Sequence, residues 1–249
     1  MSAEIQSADG RARTDAAVAE LMGVGHSRLS AADLASQVAA PVGAFTALEP
    51  SWDDLPQDEY LRDGGRYRSR RHSCFILDLS NGELTRTPHR AHWQPTTYNA
   101  LHGGLERWFA PIETAVTDAP VWTRLLQRYG TVFARVRAAS RWFIEAHQFR
   151  IDTATGIGRP TPEGAHRDGV DFIVIVLVAR HRVIGGETRV FPLGSDQGVR
   201  FTLVEPWSAL LLDDTRVVHE TTPIQSDGET GWRDTLVVTY RAGGFQSPA

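Results

Sequence analysis

Three side chains stand in a pattern that can hold a metal ion. His166-Arg167-Asp168 places an imidazole and a carboxylate two residues apart, and His219 follows 219 − 166 = 53 residues later. On an extended strand, residues i and i+2 face the same side, so His166 and Asp168 can reach one ion while Arg167 points away. Two histidines and one carboxylate form a facial set that suits Fe(II) and leaves positions open for a chelating co-substrate and O2. The spacing alone also describes a surface histidine beside a turn aspartate. Arg233 adds weight, lying 233 − 219 = 14 residues past His219 and just before the apolar run Thr235 to Tyr240. A guanidinium pairs bidentately with a carboxylate. In an oxygenase of this kind Arg233 is where the distal carboxylate of 2-oxoglutarate would be anchored, with Thr235 on the same face adding a hydroxyl.

A second supply of polar groups lies upstream. Arg66 and Arg68 share a face if their run is extended, and Arg150 shares one with Gln148. Any of these arginines can grip a substrate carboxylate while His147 or Gln148 lines the site. His72, His89, His92, His102 and His181 have no ligand-type partner at useful spacing and read as structural or surface histidines.

The elements that must carry these residues follow from periodicity. Residues 1–30 show no clear pattern and read as a flexible or weakly helical extension, followed by a single domain over 31–249. Ser30 and Asp33 form a capping box for a helix over Ala31 to Ala39. From Asp118, the apolar positions Trp122, Leu125, Leu126, Tyr129, Phe133 and Val136 repeat at helical spacing, with Pro120 in the first turn. Cys74 to Leu77 reads as a buried strand. After Trp142 the chain turns to short β-rich runs: Glu145 to Ile151, Val170 to Val178, Glu187 to Phe191, Val199 to Val204, Ala209 to Leu212 and Asp234 to Tyr240. Turn signals such as Gly185-Gly186 separate them. Strands at this spacing predict an α+β domain, a double-stranded β-helix (a cupin-like jelly roll) buttressed by N-terminal helices.

Composition narrows the chemistry. The formal charge is 26 − 30 = −4, which gives no electrostatic case for nucleic acid or an anionic membrane as partner. No apolar run reaches the roughly 20 residues that span a bilayer, and the first residues do not read as a signal peptide. The single cysteine, Cys74, excludes an internal disulfide and a thiolate zinc cage; a reducing cytoplasm is the expected setting. All 26 basic residues are arginine. Schiff-base and P-loop lysines are therefore excluded, and arginines, backbone N–H groups or helix ends must hold any anion.

Several motifs in one order carry a family resemblance. His147-Gln148-Phe149-Arg150, His166-Arg167-Asp168, Val183-Ile184-Gly185-Gly186-Glu187, His219-Glu220-Thr221-Thr222-Pro223 and Trp232-Arg233-Asp234-Thr235-Leu236-Val237-Val238-Thr239-Tyr240 resemble the bacterial L-isoleucine dioxygenase family, as does the pair Arg66 and Arg68. The similarity runs over roughly residues 60–241. It implies a jelly roll, Fe(II), 2-oxoglutarate and O2, stimulation by ascorbate, and side-chain hydroxylation of a free L-amino acid or close derivative with release of succinate and CO2. Asp168 argues against a halogenase, which needs a small residue there to admit chloride. Ile151, where an aromatic residue is expected, leaves the particular amino acid open. The same cofactors also serve desaturation, epimerisation or cyclisation, and a non-catalytic jelly-roll binding module is the alternative of another class. Oligomeric state is not encoded in any of these motifs.

Overall fold

The computed structural model describes residues 3–99, 101 and 103–248, with side chains from residue 10 onward. In chain order the elements are α1 (Ala3–Val24), β1 (His26–Leu29), α2 (Ala31–Val38), α3 (Val42–Thr46), a 3-10 turn (Glu49–Trp52), β2 (Arg68–Asp78), β3 (Leu84–Arg86), α4 (Thr114–Thr117), α5 (Pro120–Val136) and β4 (Arg141–Asp152). Then follow β5 (Phe172–His181), β6 (Val183–Gly185), β7 (Thr188–Pro192), β8 (Val199–Phe201), β9 (Ala209–Asp213), β10 (Val217–Thr221), β11 (Ile224–Ser226) and β12 (Trp232–Arg241). A 7-stranded antiparallel sheet runs β1-β9-β5-β12-β4-β2-β3, and the smaller groupings β10-β7-β8 and β11-β6 complete the β framework. This is the expected double-stranded β-helix with helices against one side.

Strand alternation divides the large sheet into two environments. On one face Phe75, Leu77, Trp142, Ile144, Ala146, Phe172, Val174, Val176, Leu236, Val238 and Tyr240 pack with Trp122, Leu125, Leu126 and Phe133 of α5 in the main core. On the other, Ile173, Ile175, Leu177, Leu210 and Leu212 meet Val190 and Val217 of the smaller sheet. Toward β4 and β2 that inner face becomes polar, and the space between the sheets opens into a pocket.

The expected extension at residues 1–30 is corrected by the structure. Residues 3–24 form α1 and residues 26–29 form β1; Ala17 and Leu21 lie in the main core, and β1 pairs with β9 at the edge of the large sheet. Its signal is weak because close approach relies on small residues. A Cβ at Gly10 would stand 2.9 Å from Ser36 O, and Thr14 is buried with its hydroxyl on Gly10 O at 2.7 Å. Arg216, distant in sequence, closes the C-terminal end of α1 by donating to the carbonyls of Leu21, Met22 and Gly23 at 2.8, 2.5 and 2.9 Å. Two boundaries also differ. β2 starts at Arg68 rather than Cys74, because its first inner-face residues are polar and give no apolar signal. Asp118 does not cap α5; the N-cap is Ala119, with no side-chain hydrogen bond.

Candidate active site

The polypeptide brings His166, Asp168 and His219 together by a backbone bridge. His166 N–H donates to His219 O and His219 N–H to His166 O, each at 3.0 Å, which fastens the loop before β5 to β10. The three ligand atoms lie within 4.8 Å of one another. His166 Nε2 is 3.7 Å from Asp168 Oδ1, and His219 Nε2 is 4.0 Å from Asp168 Oδ2. His166 Nδ1–H donates to Gly164 O at 2.9 Å, which leaves Nε2 with the lone pair that a metal needs.

Electrostatics at the triad suit a cation. Burial, and then the His166 charge, push His219 well below the usual imidazole range, so its ring stays neutral and able to ligate. At His166 burial acts downward too, but the carboxylates of Asp168 and Glu163 outweigh it and hold the ring above its ordinary value. Among the described residues, the carboxylates of Asp168 and Glu163 form ion pairs only with these imidazoles. A divalent ion bound through two imidazoles and one carboxylate fits this donor set.

The loop bearing the ligands is built around Asp214, which sequence reasoning passed over. Its carboxylate accepts from the backbone N–H groups of Asp168, Gly169 and Val170 at 3.1, 2.8 and 3.1 Å. Its only sequence signal is the Asp213-Asp214-Thr215 turn ahead of the His219 strand. Arg167 points away from the triad, donating to Asp214 O and lying over the Tyr98 ring. Gln94 donates to Asp168 Oδ1 at 3.0 Å and is itself held by Arg107 on Oε1 at 3.0 Å. Gln94 has no spacing relation to the triad, and only the fold reveals it.

Arg233 faces the same pocket from β12, together with Thr235. It is only 3% exposed, and among the described residues its guanidinium has no carboxylate partner. The neighbouring Asp234 is occupied on the opposite face by Arg150, at 2.8 and 2.7 Å. A register shift between β12 and β5 places both Arg180 and Leu177 on the side of Arg233 and Thr235. Burial, reinforced by the Arg180 charge, lowers Arg233 to about 10. A buried guanidinium so placed can receive an anion from outside the chain.

The other candidates divide by strand parity. His147 and Arg68 line the pocket, although Arg68 is already paired with Asp58 at 2.7 Å. Arg66, Gln148 and Arg150 do not line it. Arg66 is exposed and precedes β2, outside the pocket lining. Gln148 and Arg150 lie on the opposite face of β4 from His147: Gln148 donates to Ser51 Oγ at 2.7 Å, and Arg150 binds Asp53 and Asp234.

A second correction concerns His72 and His92. They are not isolated: with His147 they surround Glu145, and the four ligand-type atoms lie within 4.8 Å of one another. Register across β2 and β4 sets His72 opposite His147, while His92 arrives from a loop, so no local spacing joins them. His89 Nε2–H donates to Phe109 O at 2.8 Å, and His181 packs on Trp232. His102 lies outside the described residues.

A jelly roll with two histidines and a carboxylate beside an unpaired buried arginine defines a class, the mononuclear non-haem iron oxygenases that use an oxo-acid co-substrate. The 2OG-Fe dioxygenase family model matches residues 49–239, and the chain belongs to that family. Membership implies Fe(II), 2-oxoglutarate and O2 as metal and co-substrates. The solved structure of a bsmA homolog from Methylobium petroleophilum PM1 is 53% identical with a TM-score of 0.91, over 95% of this chain and 96% of that one. IDO from Bacillus thuringiensis shares the fold at 18% identity and a TM-score of 0.75, over 92% and 96% of the two chains. The Fe(II)/(alpha)ketoglutarate-dependent dioxygenase TqaL does so at 16% and 0.74, over 95% and 89%. No curated protein matches the chain. No helix among the described residues is long and apolar enough to cross a membrane.

Proposed function

We propose that this oxygenase hydroxylates the side chain of a free L-amino acid or a close derivative, in the manner of the L-isoleucine dioxygenases its motifs resemble. His166, Asp168 and His219 hold Fe(II), and Arg233 with Thr235 receives the distal carboxylate of 2-oxoglutarate. The observation that carries this reading is the meeting, in one pocket, of the triad and a buried guanidinium that lacks a partner of its own. Bound iron and 2-oxoglutarate supply the oxidising power for C–H hydroxylation, with succinate and CO2 as co-products.

The protein's own part is placement and exclusion of water. Gly164 O fixes the tautomer of His166, Asp214 fixes the ligand loop, and Gln94 orients Asp168. Phe149, Ile175 and Val237 give the pocket an apolar wall, which keeps water from the reacting C–H bond. The single buried cysteine fits a reducing cytoplasm, and ascorbate is expected to sustain turnover by keeping the iron reduced.

The test is succinate release from anaerobically purified, Fe(II)-loaded protein given 2-oxoglutarate, ascorbate and O2 against the common L-amino acids. One or more should stimulate succinate formation and gain 16 mass units, the mass of one oxygen atom (~16 Da). His219→Ala should abolish both turnover and tight Fe(II) binding, since two remaining ligands hold a labile ion poorly. Full activity in the reconstituted variant overturns the ligand assignment. Stimulation only by a carrier-bound or peptidyl compound overturns the substrate class and leaves the iron site standing.

A further inference from the structure

The pocket extends beyond the triad and Arg233 to a charged end that the reading above does not use. Along β12 the inward positions run Arg233, Thr235, Val237 and Thr239, and their β4 partners are Ile151, Phe149, His147 and Glu145. Glu145 thus sits at the opposite end of this row from the arginine assigned to 2-oxoglutarate. It is 8% exposed. His72 Nε2 and His92 Nδ1 approach its Oε2 at 3.1 and 2.5 Å, and His147 Nε2 stands 3.9 Å from the same oxygen. None of these contacts uses Oε1.

Protonation follows from the hydrogen bonds. Arg70 Nη2 lies 2.6 Å from His147 Nδ1. A guanidinium only donates, so Nδ1 accepts and the ring hydrogen sits on Nε2, directed at Glu145. The imidazoles of His72 and His92 likewise turn N–H groups to the carboxylate. Burial would raise Glu145, but these two histidines outweigh it and keep it ionised; burial keeps all three rings below their usual range. Glu145 is therefore a buried anion solvated by neutral rings. The same tautomer argues against a second metal, because an N–H cannot ligate.

Arg70 is the matching cation. It is 3% exposed, its guanidinium carbon lies 3.8 Å from the Phe109 centroid and 4.4 Å from that of Phe149, and its Nη1 is 3.8 Å from Asp58 Oδ2, beyond hydrogen-bond range. Its Nε has no partner. His147 stands between Arg70 and Glu145, its Nδ1 2.6 Å from Arg70 Nη2 and its Nε2 3.9 Å from Glu145 Oε2, so a cation and a carboxylate flank one ring at the same end of the pocket. Arg107, whose Nε is also buried without a partner, lines the same end.

We propose that Glu145 and Arg70 form a zwitterion-reading subsite: Glu145 binds the substrate's α-ammonium through Oε1, and Arg70, aided by Arg107, binds its α-carboxylate. The site then requires both groups free, and it excludes N-acylated, amidated, peptidyl and carrier-bound forms. The inference rests on the amino-acid reading above and adds the residues that enforce it.

The full-length Fe(II) enzyme tests it with the best amino acid from the succinate screen, its N-acetyl derivative, its amide and its deaminated acid. Each modification should lower kcat/KM by roughly tenfold or more. Glu145→Gln should raise KM for the amino acid by a similar factor, leave KM for 2-oxoglutarate unchanged, and narrow the preference over the deaminated acid. If Glu145→Gln does not fold, the analogue series on the unaltered enzyme still decides. Equal turnover of the N-acetyl and free forms overturns the subsite while the amino-acid reading stands; a screen in which no free amino acid works overturns both. A divalent ion retained by His219→Ala but lost on adding Glu145→Gln overturns it differently, by making the cluster a second metal centre.

Discussion

An interior guanidinium without a carboxylate is costly unless a ligand supplies one, which makes Arg233 the most exposed to test among single residues. Arg233→Ala should weaken 2-oxoglutarate by about 2–5 kcal/mol, tens-fold or more in affinity, and spare Fe(II) binding. Equilibrium titration under nitrogen reads both; an unchanged affinity would move the role to another arginine, with Arg180 beside it and Arg241 on the same strand. The histidine cluster makes a pH prediction. Folded His92 lies at about 4, whereas an unfolded histidine titrates near ~6.5. Between those values the unfolded chain binds more protons, so stability is fully present above about 6.5 and declines as pH falls toward about 4. Urea midpoints across this window should drop with acidification, and His92→Gln should flatten the slope; an equally steep slope in that variant would remove His92 from the account. The triad was legible in sequence because a two-residue step on an extended segment has one geometric meaning. The Glu145 cluster was not, because its partners come from β2, β4 and a loop, and only cross-strand register joins them.

Elements were readable where one face is large and apolar. α5 shows its stripe in sequence, and Ser30 and Asp33 form the expected capping box at α2, with both hydrogen bonds present at 3.1 and 3.2 Å. β4 misled for a physical reason. Its two faces are both buried and both carry polar groups, so side-chain type gives no parity: Gln148 and Arg150 read as site candidates beside His147 yet lie on the face opposite it. The contact between α5 and the sheet is governed by a residue with no side chain. At Gly130 a Cβ would stand 2.2 Å from Leu77 Cδ2 and 3.2 Å from Trp142 Cδ1, and Trp142 Nε1–H donates to Gly130 O at 2.9 Å. Gly130→Ala gains helix propensity of roughly 1 kcal/mol or less but forces the helix off the sheet. Overpacking of this kind costs about 1–3 kcal/mol, so chemical denaturation should show a net loss. A gain in stability would mean that Leu77 repacks freely.

At the scale of the molecule, the N-terminal segment is part of the enzyme's framework. β1 covers β9, Leu21 fills the core, and Arg216 anchors the end of α1 by three carbonyl contacts. Removing residues 1–29 should therefore leave β9 as a bare sheet edge, lower the melting temperature and promote aggregation. Because α1 and β1 do not line the pocket, any folded fraction should retain Fe(II) binding. A truncated chain that is monomeric and melts unchanged would restore the extension that the sequence suggested. That expectation failed because small side chains pack helices closely without producing a hydrophobic stripe.

The order of strands also sets a timetable. Leu29 pairs with Ala209, 209 − 29 = 180 residues apart, and translation at about 5–20 residues per second needs roughly 9–36 s to cover that distance. Throughout that interval the nascent β1 has no partner, and β4 waits for β12, the last strand made. Closure of the sheet is thus a late event, and the growing chain carries unpaired edges for most of its synthesis. Ribosome-bound chains arrested before β9 should remain protease-sensitive at β1 and β5, whose strand partners are not yet made. Completed chains should refold slowly, on the millisecond-to-second scale (~10⁻³–1 s) of non-local β topologies.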